Sequence, residues 1–178
     1  MIIVILGLPG IGKGTQSKYI SDKYGLKHLS TGDMLRDHMA RKTPLGVSIQ
    51  KKMDKGEFVS DEMINKMVRE TLNSSPNAIL DGYPRTAQQA AYLDSYTKVE
   101  KIIYLDGLPE TAKKRALQRA TMEKRSDDTP EVISKRIDIY YEKTMPVVEY
   151  YKKSGRLSTI SSNSSISDIN NKIDRLMK

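Results

Sequence analysis

Residues 7 to 16 read GLPGIGKGTQ, four glycines and one lysine directly after the apolar run IIVIL. Glycine lets backbone N–H groups approach an anion closely, and it adopts the positive φ angles that aim several of them at one point. The stretch therefore predicts a phosphate cradle. Gly7 to Lys13 satisfies G-x-x-x-x-G-K, a pattern whose loop amides and following helix end hold nucleotide phosphates while the lysine reaches between β and γ. Gly10, Ile11, Gly12, Lys13, Gly14 and Thr15 are the candidate residues for binding nucleotide phosphate. The hydroxyl expected immediately after the lysine is displaced by one place, with Gly14 there and Thr15 next. A Mg²⁺ ion accompanying the nucleotide is thus expected to keep more of its water and to be held through outer-shell carboxylates near Asp81 and Asp33.

Such a loop works only between a strand and a helix. Ile2 to Leu6 is a continuous aliphatic run without polar alternation, the pattern of a strand buried on both faces in a parallel sheet. From Lys13 to Tyr24 the spacing is helical, and Gly25 supplies the stop. Two further strands of the same buried kind end in carboxylates, Ala78 to Leu80 before Asp81 and Lys101 to Leu105 before Asp106. KHLS at 27–30 and RLSTI at 156–160 are weaker strand candidates. Between them, Met63, Ile64, Met67, Val68 and Leu72 share one face of a helix over 60–73. Ile166, Ile169, Ile173 and Leu176 form a stripe behind SISD, a Ser-x-x-Asp helix start. Residues 131–153 also read as helix, with Pro146 expected to kink or break it. Alternating strands and helices predict a three-layer α/β fold with ligands bound beyond the strand C-termini.

The composition narrows the partners. A chain of 178 residues, 38% hydrophobic and 29% charged, predicts one globular domain over 1–178. There is no cysteine, so no disulfide framework and no thiolate zinc site, and two histidines, His28 and His38, do not make a metal cage. Each histidine reads as a surface or packing residue. The apolar N-terminal run is too short for a signal or a membrane span, and a soluble, cytoplasmic protein without membrane partners is the expectation. The formal charge of +8 comes from scattered lysines and arginines. This fits a basic surface around a phosphate site, and leaves a nucleic-acid-binding or assembly factor as an alternative.

Four motifs stand in one order: GLPGIGKGTQ, STGDMLR at 30–36, DGYPRTAQQ at 81–89 and RSDD at 125–128. In this the chain resembles the adenylate kinases, within the nucleoside monophosphate kinase family, over nearly its whole length. The resemblance implies a P-loop NTPase fold, an NMP-binding insert at 30–59, a short lid at 120–130, ATP and AMP or ADP as ligands, Mg²⁺ with ATP, and a monomer that binds no nucleic acid. Larger lids in that family carry some thirty extra residues and sometimes a zinc site; here neither room nor ligands remain, so zinc is excluded. The reaction implied is ATP + AMP ⇌ 2 ADP.

Carried over position by position, the motifs make Lys13, Arg85, Arg119, Arg125 and Arg136 the catalytic candidates. Arg36 and Arg85 resemble the clamp on the acceptor phosphate, and Arg119, Arg125 and Arg136 the arginines around the transferred group; the resemblance also makes Gly10 to Thr15 and Arg119 the ATP-binding residues. Arginine suits both tasks because its planar fork grips phosphate oxygens bidentately. Arg115 is a further candidate, and Asp127 and Asp128 resemble lid carboxylates that orient the arginines. The acceptor pocket is assigned to Thr31, Arg36, Met53, Glu57, Phe58, Val59, Gly82, Tyr83, Arg85, Gln89, Arg125 and Arg136. Thr31 and Gln89 match the adenine-reading form, whereas pyrimidine-directed relatives, the uridylate/cytidylate kinases, typically carry Ala and Asn there. Where the family usually places a glycine near the donor base, this chain has Ser164.

Overall fold

The computed structural model describes residues 1–178 apart from 43, 56–58 and 124–127, and apart from the side chain of residue 45. The predicted Glu57, Phe58, Arg125 and Asp127 thus lie outside the described residues.

Among the described residues, five parallel strands form the sheet: β1 (Ile2–Gly7), β2 (Lys27–Ser30), β3 (Ala78–Asp81), β4 (Lys101–Asp106) and β5 (Leu157–Ser161), in the order β2-β3-β1-β4-β5. The central strand β1 is buried along its length because its side chains alternate into two cores. Ile2, Val4 and Leu6 enter one, with Leu80, Ile102, Val68, Leu93 and Val148; Ile3 and Ile5 enter the other, with Ile20, Ala116, Ile133 and Ile173. An unbroken aliphatic strand is what a sheet covered on both faces requires. The first core is closed by α4 (Asp61–Ser74), α5 (Ala87–Tyr96) and α8 (Met145–Lys153), the second by α1 (Lys13–Tyr24), α6 (Pro109–Glu123), α7 (Pro130–Ile139) and α9 (Ile166–Met177). Helices α2 (Thr31–Ala40) and α3 (Pro44–Met53) pack on one another beside the β2 end of the sheet.

The α/β class and all five predicted strands are present. The strand at 156–160 is shifted by one residue and carries a mixed burial pattern, as befits a sheet edge. At α9 the predicted start is real, Ser165 accepting from the Asp168 backbone N–H at 3.1 Å. Its stripe is only partly inward: Ile169 and Ile173 are buried, whereas Ile166 is exposed. Three donors, Tyr19, Lys23 and Tyr24 of α1, converge on Asp174 of α9 and hold that helix in place.

At Pro146 the helix neither stops nor loses its neighbours. Tyr140–Thr144 form a π-helical turn between α7 and α8, in which the Met145 N–H donates to the Tyr140 carbonyl, five residues back. Proline has no N–H to give to the preceding turn, and the widened turn ahead of it absorbs that missing bond. Among the described residues, no helix is long and apolar enough to cross a membrane.

Candidate active site

The predicted phosphate loop links β1 to α1 at the C-terminal edge of the sheet. Gly12 is the N-cap of α1, at φ 114, and a Cβ built on it would meet nothing within 4 Å. An L-residue is strained in that conformation, and glycine leaves the first-turn N–H groups of α1 open to an anion. Lys13 Nζ lies back across the loop, donating to the carbonyls of Gly7 and Leu8, each at 2.8 Å. Burial pulls the Lys13 ammonium down to about 8; Asp81 opposes that fall, and Arg85 and Arg119 add to it. A lysine held below its free value costs the fold stability while it is charged, below about pH 8, and the cost shrinks as pH rises toward the free-amine range. An anion in the loop would offset it.

The parallel register brings Ser30, Asp81 and Ile5 side by side, so the start of α2 and the end of β3 stand next to the phosphate loop. Asp81 faces that loop, since a Cβ on Gly14 would sit 3.6 Å from its Oδ2. His28 Nε2 approaches the same oxygen at 3.5 Å, which makes it part of the cavity wall rather than a plain surface residue. Just beyond β3, Gly82 takes φ 78, and an added Cβ would lie 2.8 Å from Arg85 Nη2 and 2.9 Å from Thr31 Oγ1. Only glycine allows both side chains to close over its backbone. Its carbonyl accepts from Thr31 Oγ1 at 2.8 Å and from Arg85 Nε at 2.7 Å.

Positive charge is gathered here at a cost. Burial pushes the Arg85 guanidinium down to about 10; Arg136 and Arg36 add to the shift and Asp81 opposes it. It remains charged at neutral pH. Arg36 pairs with Asp33 at 2.5 Å (Nη2 to Oδ1). Asp128, its side chain 1% exposed, receives Arg119 Nη2 on Oδ2 and Arg136 Nη1 on Oδ1, both at 2.5 Å. One buried carboxylate thereby aims two guanidinium groups taken from α6 and α7.

Arg36, Arg85, Arg119 and Arg136 line one cavity of about 740 Å³ together with Lys13, His28, Thr31 and Asp81, whereas Asp128 lies behind its two arginines and does not border it. Of the predicted residues, Gly10 to Thr15, Thr31, Asp33, Arg36, Met53, Val59, Asp81, Gly82, Arg85, Gln89, Arg119 and Arg136 border it, as do Arg115 and Ser164. Tyr83 does not. Its ring is fully buried in the core, and its hydroxyl donates to Asn65 Oδ1 at 2.7 Å, because its neighbours Gly82 and Arg85 turn toward the cavity and leave it facing inward. Arg115 donates to the carbonyls of Ile11 (3.0 Å) and Ser162 (3.3 Å), fastening the phosphate loop to the segment after β5. Tyr140 and Thr144, from the π-helical turn, also border the cavity and carry no motif that marks them in the sequence.

The family described as Adenylate kinase matches residues 5–156. An adenylate kinase of Oenococcus oeni is 43% identical over 98% of this chain and 96% of its own length. The chain belongs to the adenylate kinase family. An adenylate kinase of Thermus thermophilus is 41% identical over 89% of this chain and 87% of its own, and one of Rhizobium meliloti is 38% identical over 99% and 100%. The family match ends before β5 and α9, yet Ser164, Ile166 and Ile169 from that last part complete the cavity wall.

Proposed function

We propose that this protein transfers a phosphoryl group reversibly from ATP to AMP, giving two ADP. The observation that carries the reading is the convergence of Lys13, Arg36, Arg85, Arg119 and Arg136 on one cavity beside the phosphate loop. Phosphoryl transfer asks little covalent chemistry of a protein; it asks for two phosphates in line, their charge neutralised and water kept away. In this reading the loop amides from Gly10 to Thr15 and Lys13 hold the donor's phosphates. Arg36 and Arg85 clamp the acceptor's phosphate, whose oxygen attacks the γ-phosphorus as the β–γ bridge oxygen departs on ADP. That oxygen is already an anion, so no general base is needed. Arg119 and Arg136, with Arg125, stabilise the charge on the group in transit. Thr31, Gln89, Met53 and Val59 read and enclose the acceptor base, with Glu57 and Phe58 on the same segment. Residues 30–59 form the acceptor side and 120–130 the lid. A cytoplasmic setting completes the reading.

Mg²⁺ fits this site as a companion of the nucleotide. Among the described residues, no group of three or more His, Cys, Asp or Glu side chains could hold a metal, so phosphate and water oxygens must supply most of the ligands. Asp81, beside Gly14, would hold the ion's water shell, whereas Asp33 is already paired with Arg36. When bound, the ion neutralises phosphate charge.

A coupled assay with ATP and AMP, CMP or UMP as acceptor tests the assignment. AMP is expected to exceed both pyrimidine acceptors in kcat/KM by at least about a hundredfold, since a site built to hydrogen-bond one base strongly rejects another. Comparable rates with UMP or CMP would give the site to a uridylate/cytidylate kinase. No ADP at all, together with salt-dependent retention of labelled RNA, would favour a nucleic-acid factor.

The Lys13 ammonium makes a second expectation. Its pKa of about 8 in the unliganded site must rise against a triphosphate, so ATP binding takes up a proton above that pH, and affinity falls as pH climbs through 8. Calorimetry near pH 9 in buffers of different ionisation enthalpy counts that proton. Uptake near zero, with affinity flat in pH, would remove Lys13 from the phosphate site.

A further inference from the structure

Gln89 is 2% exposed, and both ends of its side-chain amide are held. The backbone N–H of Arg85 donates to Gln89 Oε1 at 2.7 Å, and Gln89 Nε2 donates to Asp61 Oδ1 at 2.7 Å. The other oxygen of Asp61 accepts from Thr86 Oγ1 at 2.7 Å, and that hydroxyl oxygen accepts from the Gln89 backbone N–H at 3.2 Å. The Arg85 backbone is pinned as well, its carbonyl accepting from Thr144 Oγ1 at 2.9 Å. A closed ring of hydrogen bonds thus links the first residue of α4 to the loop after β3 and the start of α5.

What the ring decides is direction. A glutamine amide has a carbonyl and an NH₂ of nearly equal shape, so an unconstrained one reads either order of donor and acceptor by turning over. Here a turned amide would set NH₂ against the Arg85 N–H and its carbonyl against the Asp61 carboxylate. Two hydrogen bonds, one of them to a charged group, would become two repulsive contacts in a buried place. In the observed direction each end keeps one further hydrogen-bonding position, a second N–H on Nε2 and a second lone pair on Oε1. That fixed pair complements a 6-aminopurine, whose ring N1 accepts and whose exocyclic amine donates. It opposes a 6-oxopurine, whose N1 carries hydrogen and whose position 6 accepts.

We propose that Asp61 is a positioning residue that keeps the Gln89 amide from turning over, and thereby sets the preference for a 6-aminopurine over a 6-oxopurine monophosphate. The inference rests on the reading above in which Gln89 faces the acceptor base. An acidic residue in the first turn of α4 also suits the helix dipole, a purely structural use that base preference separates from this one.

The test compares AMP with IMP, which differs from it only at position 6 and the adjoining N1 hydrogen, in the wild type and in Asp61→Ala, Asp61→Ser and Asp61→Asn. A serine hydroxyl donates or accepts and so tolerates either amide direction. In Asp61→Ala and Asp61→Ser the ratio of kcat/KM for AMP over IMP is expected to fall at least about tenfold through the acceptor KM, with the ATP KM unmoved. Asp61→Asn, which offers its carbonyl to Gln89 and its NH₂ to Thr86, should restore the wild-type ratio to within about threefold. If the alanine variant does not fold, the serine variant carries the same comparison. Equal losses on AMP and IMP, or an unchanged ratio, would overturn the proposal. A wild type that ignores AMP overturns the underlying reading as well, whereas a wild type that prefers AMP alongside an unchanged Asp61→Ser ratio sinks this inference alone.

Discussion

Arg85→Ala is expected to lower kcat for ADP formation at least about a hundredfold, equivalent to about 2.7 kcal/mol of lost transition-state stabilisation. The guanidinium is buried, lies among Arg36, Arg136 and Asp81, and is oriented by the Gly82 carbonyl at 2.7 Å. Held away from water against the like charges of Arg136 and Arg36, that charge is unfavourable until phosphate charge develops beside it, so its effect falls on the transition state. The substitution is clean in one respect. The backbone N–H that donates to Gln89 and the carbonyl that accepts from Thr144 both survive in the alanine variant. Arg85→Lys keeps the charge but loses the planar fork, and should recover only part of the rate. Steady-state kinetics with both nucleotides varied, alongside a melting curve, measure this. A variant with wild-type kcat and kcat/KM for AMP would place Arg85 outside the reaction.

The second large effect belongs to a residue that is itself expected to touch no substrate. Asp128 holds Arg119 and Arg136 together, and its side chain is 1% exposed while those of its partners are 32% and 16% exposed. Removing it leaves two like charges near each other without the carboxylate that aims both. Displacing a charged group by about 1 Å costs up to about a hundredfold in rate, and two groups would be displaced at once. Asp128→Ala is therefore expected to lose about a hundredfold in kcat. The melting temperature should fall too, by less than for a wholly buried pair, since Arg119 keeps access to water. Asp128→Asn should be intermediate in rate, because one neutral oxygen serves two guanidinium groups poorly. A lowered melting temperature with unchanged kcat would make Asp128 structural only.

Local signals carried most of the fold. The aliphatic run of β1, the glycine loop and α1 from Lys13 to Tyr24 were legible because each is specified by neighbours within one or two turns of chain. The edge strand β5 was faint for a physical reason: an edge strand buries only part of each face, so LSTIS lacks the unbroken apolar run. The π-helical turn before Pro146 was invisible, since apolar spacing does not register one extra residue per turn. Tyr83 stands inside the DGYPR motif, and the resemblance assigns it to the acceptor pocket with its neighbours; in the fold Gly82, Pro84 and Arg85 border the cavity while its ring packs into the core, a division that adjacency within a motif does not reveal.

Residue types and short spacings specify the chemistry on offer: the glycines of a loop suited to phosphate, a lysine within it, arginines in motif order, and in Gln89 an amide with a donor and an acceptor side by side. These follow from residue type and short spacing, which survive any folding of the rest. Which of these groups face one another comes from the folded arrangement. It set Arg115 on the carbonyls of Ile11 and Ser162, Arg119 four residues later on Asp128, and Asp61 on a glutamine far along the chain. Those partnerships arise where the parallel register and the helix packing bring distant segments to one edge of the sheet. Hydrogen bonds between such segments depend on distances of a few tenths of an ångström that no spacing along a chain encodes.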